Sequence, residues 1–420
     1  MAGKHRARPR WGRRWVVRGA VALASLLVPI AWAPPAGPYV DAAPRGALEG
    51  WLAGWVASSD EGWTDRGPTF PERFSMAFTG DVLVHTDVWE RAAANGGARR
   101  RFDFRPMLAP IRPSISAADV AICHLETPVS RTDRRLSSYP IFNVPNEIVD
   151  AIAWVGYDGC STASNHSIDQ GLAGIRATIA ELEERRLRHA GTAATRRESR
   201  IVTTYRVGEA RIAHLSYTFS FNGLTPRYGW EANRLVVSDV LAEARRARRA
   251  GADLTVVSLH WGAEYRHSPT TGQRSVAAQL TGSGLVDLVV GHHAHVVQPI
   301  GAANGVPVVY GMGNQLSAQR QEYLGTKSVE DGVIAWAVAE RVADGEDYRV
   351  TTVLVTPTWV APGSYRILPT LSVADDPSTP AWLRAELLAS HRRTMGEILA
   401  LGGRPFGLRA TRTPPLGAQF

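Results

Sequence analysis

Five short apolar runs in this chain each end in a polar cluster, and no other feature constrains its fold as tightly. The runs are Phe74–Phe78, Val120–Cys123, Cys160–Ala163, Leu254–Leu259 and Val286–Val290. The clusters behind them are Thr79-Gly80-Asp81, His124-Leu125-Glu126, Ser164-Asn165-His166, His260-Trp261-Gly262 and Gly291-His292-His293-Ala294-His295. Runs of this length with this composition read as buried strands of an α/β sheet. In such sheets ligands bind beyond the carboxyl ends of the strands. Five strand ends that bring Asp, Glu, Asn and His to one rim describe a metal site.

The charge of the chain is concentrated, not spread. Of a formal net charge of +8, seven units come from Lys4, Arg6, Arg8, Arg10, Arg13, Arg14 and Arg18, with no acidic residue among them. That excess belongs to a leader, and the balance left behind it weighs against nucleic acid as a partner. The leader has the parts of an export signal: a basic start, an apolar stretch from Gly19 to Trp32, and small residues at Ala31 and Ala33. Arg13-Arg14 followed by Trp15-Val16-Val17 resembles a twin-arginine motif; an ordinary secretion signal or an uncleaved anchor stays open. An exported, extracellular or envelope-associated protein is the expectation. The two cysteines, Cys123 and Cys160, read as buried strand residues that would meet only if their strands are neighbours.

Residues 1–33 are thus assigned to the export signal or anchor and 34–72, rich in Pro, Gly, Ala and Trp, to a linker. A main domain follows over 73–357, and 358–420 forms a C-terminal extension with one helix. Helices are expected at Asn146–Val155, Leu172–Leu187, Val237–Arg249, Gln273–Leu280 and Pro380–Leu401, and further strands at Arg200–Val207, Ala210–Tyr217, Pro307–Tyr310, Val333–Val338 and Tyr348–Val355. Consecutive strands in the second half point to a mixed sheet, or to two sheets face to face with helices outside. Arg245–Arg249 reads as a solvated helix face.

Asp, Glu, Asn and His without Cys form a hard-to-borderline donor set suited to Zn²⁺, Mn²⁺, Fe or Mg²⁺. A carboxylate can bridge two cations, an amide carbonyl adds a neutral ligand, and two such ions lower the pKa of a shared water. Spacing alone does not choose among His292, His293 and His295.

A series of motifs resembles the CapA-type capsule and poly-γ-glutamate biosynthesis proteins, in order from about Ser75 to Gln319. They are Gly80-Asp81-Val82-Leu83-Val84-His85, Leu125-Glu126-Thr127-Pro128, Tyr139-Pro140-Ile141-Phe142-Asn143-Val144-Pro145, Ala163-Ser164-Asn165-His166-Ser167-Ile168-Asp169, Ser258-Leu259-His260-Trp261-Gly262-Ala263-Glu264-Tyr265, Gly291-His292-His293-Ala294-His295-Val296-Val297-Gln298 and Tyr310-Gly311-Met312-Gly313-Asn314. The resemblance implies a metallophosphatase-like four-layer α-β-β-α sandwich, with two mixed β-sheets flanked by helices. It also implies one or two divalent ions (Zn, Mn or Fe) held by Asp81, Glu126, Asn165, His260, His293 and His295. His166 would be the acid at the leaving atom. Asp169 is placed to orient it, and Glu264, with Tyr265 and Gln273, to face substrate. Phe142-Asn143 and Phe221-Asn222 are expected near the cleft rim. Leu83 stands where phosphoesterases carry a histidine, and His124-Leu125-Glu126 replaces their Gly-Asp-x-x-Asp.

The function so implied is a metal-dependent hydrolase or transferase that uses a metal-bound hydroxide in making or trimming an anionic envelope polymer. A non-catalytic accessory subunit, binding the polymer or a membrane polymer synthase, is the other expectation.

Overall fold

Side-chain alternation sets the layers. In a computed structural model describing residues 70–342 and 347–415, β1 (Arg73–Val82) sends Phe74, Met76 and Phe78 into one apolar core and Ala77 and Val82 into another. The same division runs through β2 (Val120–Leu125), whose Val120 and Ile122 join the first core while Ala121 and Cys123 join the second. A strand apolar on both faces must be covered on both sides.

β1 and β2 lie in a nine-stranded mixed sheet with β3 (Gly159–Ser161) and β4 (Arg188–Ala190). A six-stranded sheet is built from β5 (Thr203–Val207), β6 (Ala210–Thr218), β7 (Leu254–His260), β8 (Leu288–His292), β9 (Ile300–Ala303) and β10 (Val306–Val309). The first sheet is completed by β11 (Asn314–Leu316), β12 (Asp331–Arg341), β13 (Tyr348–Val360), β14 (Ile367–Pro369) and β15 (Arg409–Ala410). Its main path runs β14-β13-β12-β1-β2-β3-β4, parallel from β1 to β4 and antiparallel from β1 back to β14. Phe74, Met76, Ile122, Val256, Leu288 and Val290 make one shared core, so the sheets face each other.

Helices close the outer faces. α1 (Thr86–Gly96), α2 (Glu147–Val155) and α3 (Gly171–Glu184) cover the larger sheet. α4 (Val237–Arg249) and α5 (Thr271–Thr281) cover the smaller one through Val240, Ala244, Ala277 and Leu280. The result is the expected four-layer sandwich.

Two expectations are corrected and one open question is answered. The boundary at 357 falls inside β13, because Val360 still pairs with Ile367. Residues beyond it supply β14, β15, a short helix at Thr370–Ala374 and α6 (Ala381–Ile398), which packs Leu387 against Trp359 and Leu368. Gln273 does not face substrate: Thr270 and Gln273 cap each other's backbone N–H groups at the start of α5, and the Gln273 side chain bonds Gln298. Cys123 and Cys160 oppose each other on adjacent parallel strands and form a disulfide. The export signal at 1–33 and the linker through residue 69 lie outside the described residues.

Candidate metal centre

The shared core changes character along its strands. In β2 the inward series Val120, Ile122 continues to His124; in β7, Leu254, Val256 continues through Ser258 to His260; in β8, Leu288, Val290 continues to His292. Because all three strands run parallel within their sheets, one end of the core is hydrocarbon and the other is imidazole. β1 would break this rule, since Phe78 faces inward and Asp81 should face outward. A bulge corrects it: Phe78 to Asp81 spans three steps where Ile122 to His124 spans two. The extra residue turns Asp81 toward the imidazoles. Gly80 is required there, because a Cβ would sit 2.1 Å from the Gly313 carbonyl oxygen.

Asp81 is the hub. Its Oδ1 lies 3.3 Å from His292 Nδ1, its Oδ2 lies 3.2 Å from His295 Nδ1, and the His293 backbone N–H donates to Oδ2 at 3.1 Å. Burial alone would raise this carboxyl, but the close imidazoles of His292 and His295 and the charge of His295 hold it well below the usual carboxylate range. Glu126 Oε1 sits between two imidazoles, 3.9 Å from His260 Nε2 and 3.8 Å from His295 Nε2. His260 Nε2 in turn donates to Asn165 Oδ1 at 3.0 Å. His293 (φ 87) and His295 (φ 54) both hold left-handed backbone, a conformation that costs energy in non-glycine residues and gathers at functional sites.

The donors have little else to do. Both oxygens of Glu126, Oδ1 of Asp81, and Nδ1 of His292 and His293 are buried without a hydrogen-bond partner. Leaving so many polar atoms unsatisfied in one place is costly, and a divalent cation is the partner that this mixture of carboxylate, imidazole and amide oxygen suits. Burial pushes His293 down to about 3, and His124 and His260 well below the usual imidazole range, so they stay neutral, as ligands must be. Burial raises Glu126 well above its ordinary range. It opposes charge on His295 as well, but the Glu126 charge together with the hydrogen bond and charge of Asp81 lifts that imidazole to about 9. Cation binding at this set therefore displaces protons.

All six expected ligands converge, and His292 joins them. His124, passed over as a site residue, has both ring nitrogens engaged: Nδ1 with Ser161 Oγ at 2.8 Å and Nε2 with His260 Nδ1 at 3.0 Å. It orients His260, and its ligand atom lies within 4.8 Å of those of Asp81 and His292, so it belongs among the candidate donors as well. The alternation from Val120 to His124 was the signal that could have found it. His85, the imidazole nearest to the position held by Leu83, stays out of the cluster: its Nδ1 is 3.1 Å from the Leu83 carbonyl oxygen.

Over the donors lies a cleft of about 830 Å³, lined by Asn165, His166, Asn222, Glu264 and His295 and by Tyr139, Ile141, Phe142, Tyr265 and Tyr323. His166 Nδ1–H donates to Asp169 Oδ2 at 2.8 Å, which leaves Nε2 facing the cleft, 3.5 Å from Asn222 Nδ2. Asp169 is fixed in turn by the Phe142 N–H at 2.7 Å. Glu264 is exposed at the rim and groups with His293 and His295. Of the expected rim pairs, Phe142 and Asn222 line the cleft. Phe142 is fully buried beneath the His166 and His85 rings, Phe221 packs on Ile168, and Asn143 turns away to the Arg134 and Arg135 carbonyls.

His214, inward on β6, offers a test of the polar core outside the ligand set. Burial pushes it down to about 3 while its Nε2 bonds Ser258 Oγ at 2.8 Å. Its folded pKa lies below the unfolded value near 6.5, so the unfolded chain binds the extra proton and the stabilising contribution falls as pH drops through that window. Relative to His214→Gln, the wild type should lose about 1.4 kcal/mol per pH unit between roughly 6 and 4, read by urea unfolding. A constant difference would contradict the buried neutral imidazole.

With this geometry in hand, the family model described as "Bacterial capsule synthesis protein PGA_cap" matches residues 75–319. The chain belongs to this family. Among curated relatives of this PGA_cap chain, the PGA biosynthesis protein CapA of Bacillus subtilis (strain 168) is 27% identical over 249 residues, 57% of this chain and 62% of the relative. The capsule biosynthesis protein CapA of Bacillus anthracis is 26% identical over 252 residues, 58% and 59% of the two chains. A probable polyglutamine synthesis accessory protein of Mycobacterium tuberculosis (strain CDC 1551 / Oshkosh) is 28% identical over 213 residues, 47% and 56%. The matches thus span less than two thirds of these relatives. Among solved structures, the calcineurin-like phosphoesterase YfkN of Bacillus subtilis is similar at 12% identity and a TM-score of 0.44, over 77% of this chain and 98% of that one.

Proposed function

We propose that this chain is an exported metal-dependent hydrolase or transferase that acts on an acyl bond of an anionic capsule-type polymer of glutamate. The observation that carries the reading is Glu126, a buried carboxylate with both oxygens unpartnered, set between His260 and His295, of which His295 lines an open cleft together with Asn165. The names of the relatives support the polymer. The cleft supports an acyl bond over a phosphoryl one: its lining includes Asp87 and Glu264 and no Lys or Arg to meet phosphoryl charge.

Asp81, Glu126, Asn165, His260, His292, His293 and His295 would hold one or two divalent ions. A cation there supplies Lewis-acid polarisation and an acidified water. The remaining work belongs to the chain. Asp169 fixes the ring and tautomer of His166, so that its bare Nε2, facing the cleft, takes a proton from the attacking water or alcohol and passes that proton to the departing atom. Asn222, beside Nε2, positions the group that receives it. Phe142 packs edge-on against His166 and keeps water from that side of the ring.

The test is to incubate the protein, loaded in turn with Zn²⁺, Mn²⁺ and Fe²⁺, with poly-γ-glutamate and to follow chain length and new end groups. Shortening or end-group transfer that falls by about 100-fold or more in Asn165→Ala is the expected result. A polymer unchanged under every metal would sink the enzyme. The accessory reading, in which the fold binds the polymer or a membrane synthase, would then stand, as the name of the M. tuberculosis relative favours.

A further inference from the structure

The near-neutral balance behind the leader conceals a division of charge. Residues 185–249 hold 14 arginines against five acidic residues. This excess of nine is offset by an acidic excess elsewhere. The arginines gather around the edge of the smaller sheet. Arg200 at the end of a short 3-10 turn, Arg206 on β5, Arg211 on β6 and Arg246 on α4 line one groove of about 350 Å³ with Ile201, Val202, Thr204, Ala247, Ala250 and Ala252. The helix face expected to be merely solvated therefore contributes to a shared surface.

No acidic or aromatic residue lines this groove. The nearest compensation is weak: Arg206 lies 3.6 Å from Glu209 and Arg246 4.0 Å from Glu243, with both arginines about half exposed. Such pairs contribute little to stability and yield to a better partner. The lining of the metal cleft has the opposite character, with acidic residues, tyrosines and no Lys or Arg. The charge that cleft can meet is confined to its metal site, whereas the successive carboxylates of a polymer would find guanidinium forks suited to them in this groove.

We propose that the arginine groove is a docking site for a flexible polycarboxylate chain, separate from the metal cleft. It retains the polymer while a single bond is presented elsewhere. This rests on the reading that the polymer is anionic, and not on any turnover. Single-stranded nucleic acid fits less well, because such sites stack bases on aromatic side chains and this groove has none.

The experiment is fluorescence anisotropy of labelled poly-γ-glutamate on the full chain in EDTA, where no metal chemistry proceeds. Competitors are single-stranded DNA of matched charge and vesicles containing anionic lipid. The leader's cations are common to every variant, so differences report the groove. The triple variant Arg200→Gln/Arg206→Gln/Arg246→Gln should bind about tenfold more weakly, with an unchanged thermal midpoint. Replacing the same three residues by Lys should recover part of the loss. Equal binding by the triple Gln variant would overturn the proposal, as would Arg-dependent binding that is tighter for DNA or vesicles than for the polymer. If turnover fails in the test of function while this binding holds, the docking site survives and the enzyme does not.

Discussion

Replacing Glu126 by Gln should abolish tight cation binding and lower turnover by about three orders of magnitude, while leaving the metal-free protein at least as stable as the wild type. The two halves have one cause. Burial raises the Glu126 carboxyl well above its ordinary range. A folded pKa above the unfolded value means that stability is lost as pH rises past roughly 4.5, so at neutral pH this side chain works against the metal-free fold. Gln keeps the shape and removes that penalty. It also removes the charge that lies between His260 and His295, and a lost anionic ligand costs several kcal/mol of charge stabilisation. Three orders of magnitude in rate correspond to about 4 kcal/mol. Chemical denaturation in EDTA and isothermal titration with Zn²⁺ or Mn²⁺ separate the halves. A variant that unfolds more easily without metal, or binds metal as before, would show that Glu126 is a structural carboxylate.

Asp169→Asn should leave metal content and KM nearly unchanged and reduce kcat on the polymer by roughly 100- to 1,000-fold, the range expected for loss of a positioned acid. Asp169 does not touch substrate in this account; it acts through His166, whose Nδ1–H it accepts at 2.8 Å. Its role is therefore read best from leaving-group dependence. A substrate whose departing group needs no proton, such as an activated aryl ester or anilide, should lose little in the variant, whereas an ordinary amide should lose the full factor. Equal losses on both would mean that Asp169 holds the Phe142 loop through its N–H bond and not the acid.

Much of the centre was legible in the chain because the same local rule repeats. A short apolar run followed by polar residues puts chemistry at a strand end, and parallel strands put those ends together. Asp81, Glu126, Asn165, His260 and the trio His292, His293 and His295 follow from that rule, while the choice of His293 and His295 within the trio rests on the family resemblance. What escaped it was non-local. The meeting of Cys123 with Cys160 depends on which strands neighbour each other and in what register. The turn of Asp81 into the site depends on a one-residue bulge set by the close approach of Gly80 to Gly313. Pro357 looked like a terminus, yet it lies within β13 opposite Val333. Two misses were local and avoidable. Thr270 and Gln273 have the spacing of a capping box, and His124 continues the inward alternation of Val120 and Ile122. The arginine groove escaped because total charge averages over an acidic and a basic region, and only the fold shows which arginines share a surface.

The central claim is that the strand ends hold a cation, and metal content of the protein purified without chelator tests it most directly, by inductively coupled plasma mass spectrometry. The account predicts Zn, Mn or Fe in near-stoichiometric amount, one or two ions per chain, lost in an Asn165→Ala/His295→Ala double variant that remains folded. Absence of tightly bound metal, even after loading with excess of each ion, would contradict it.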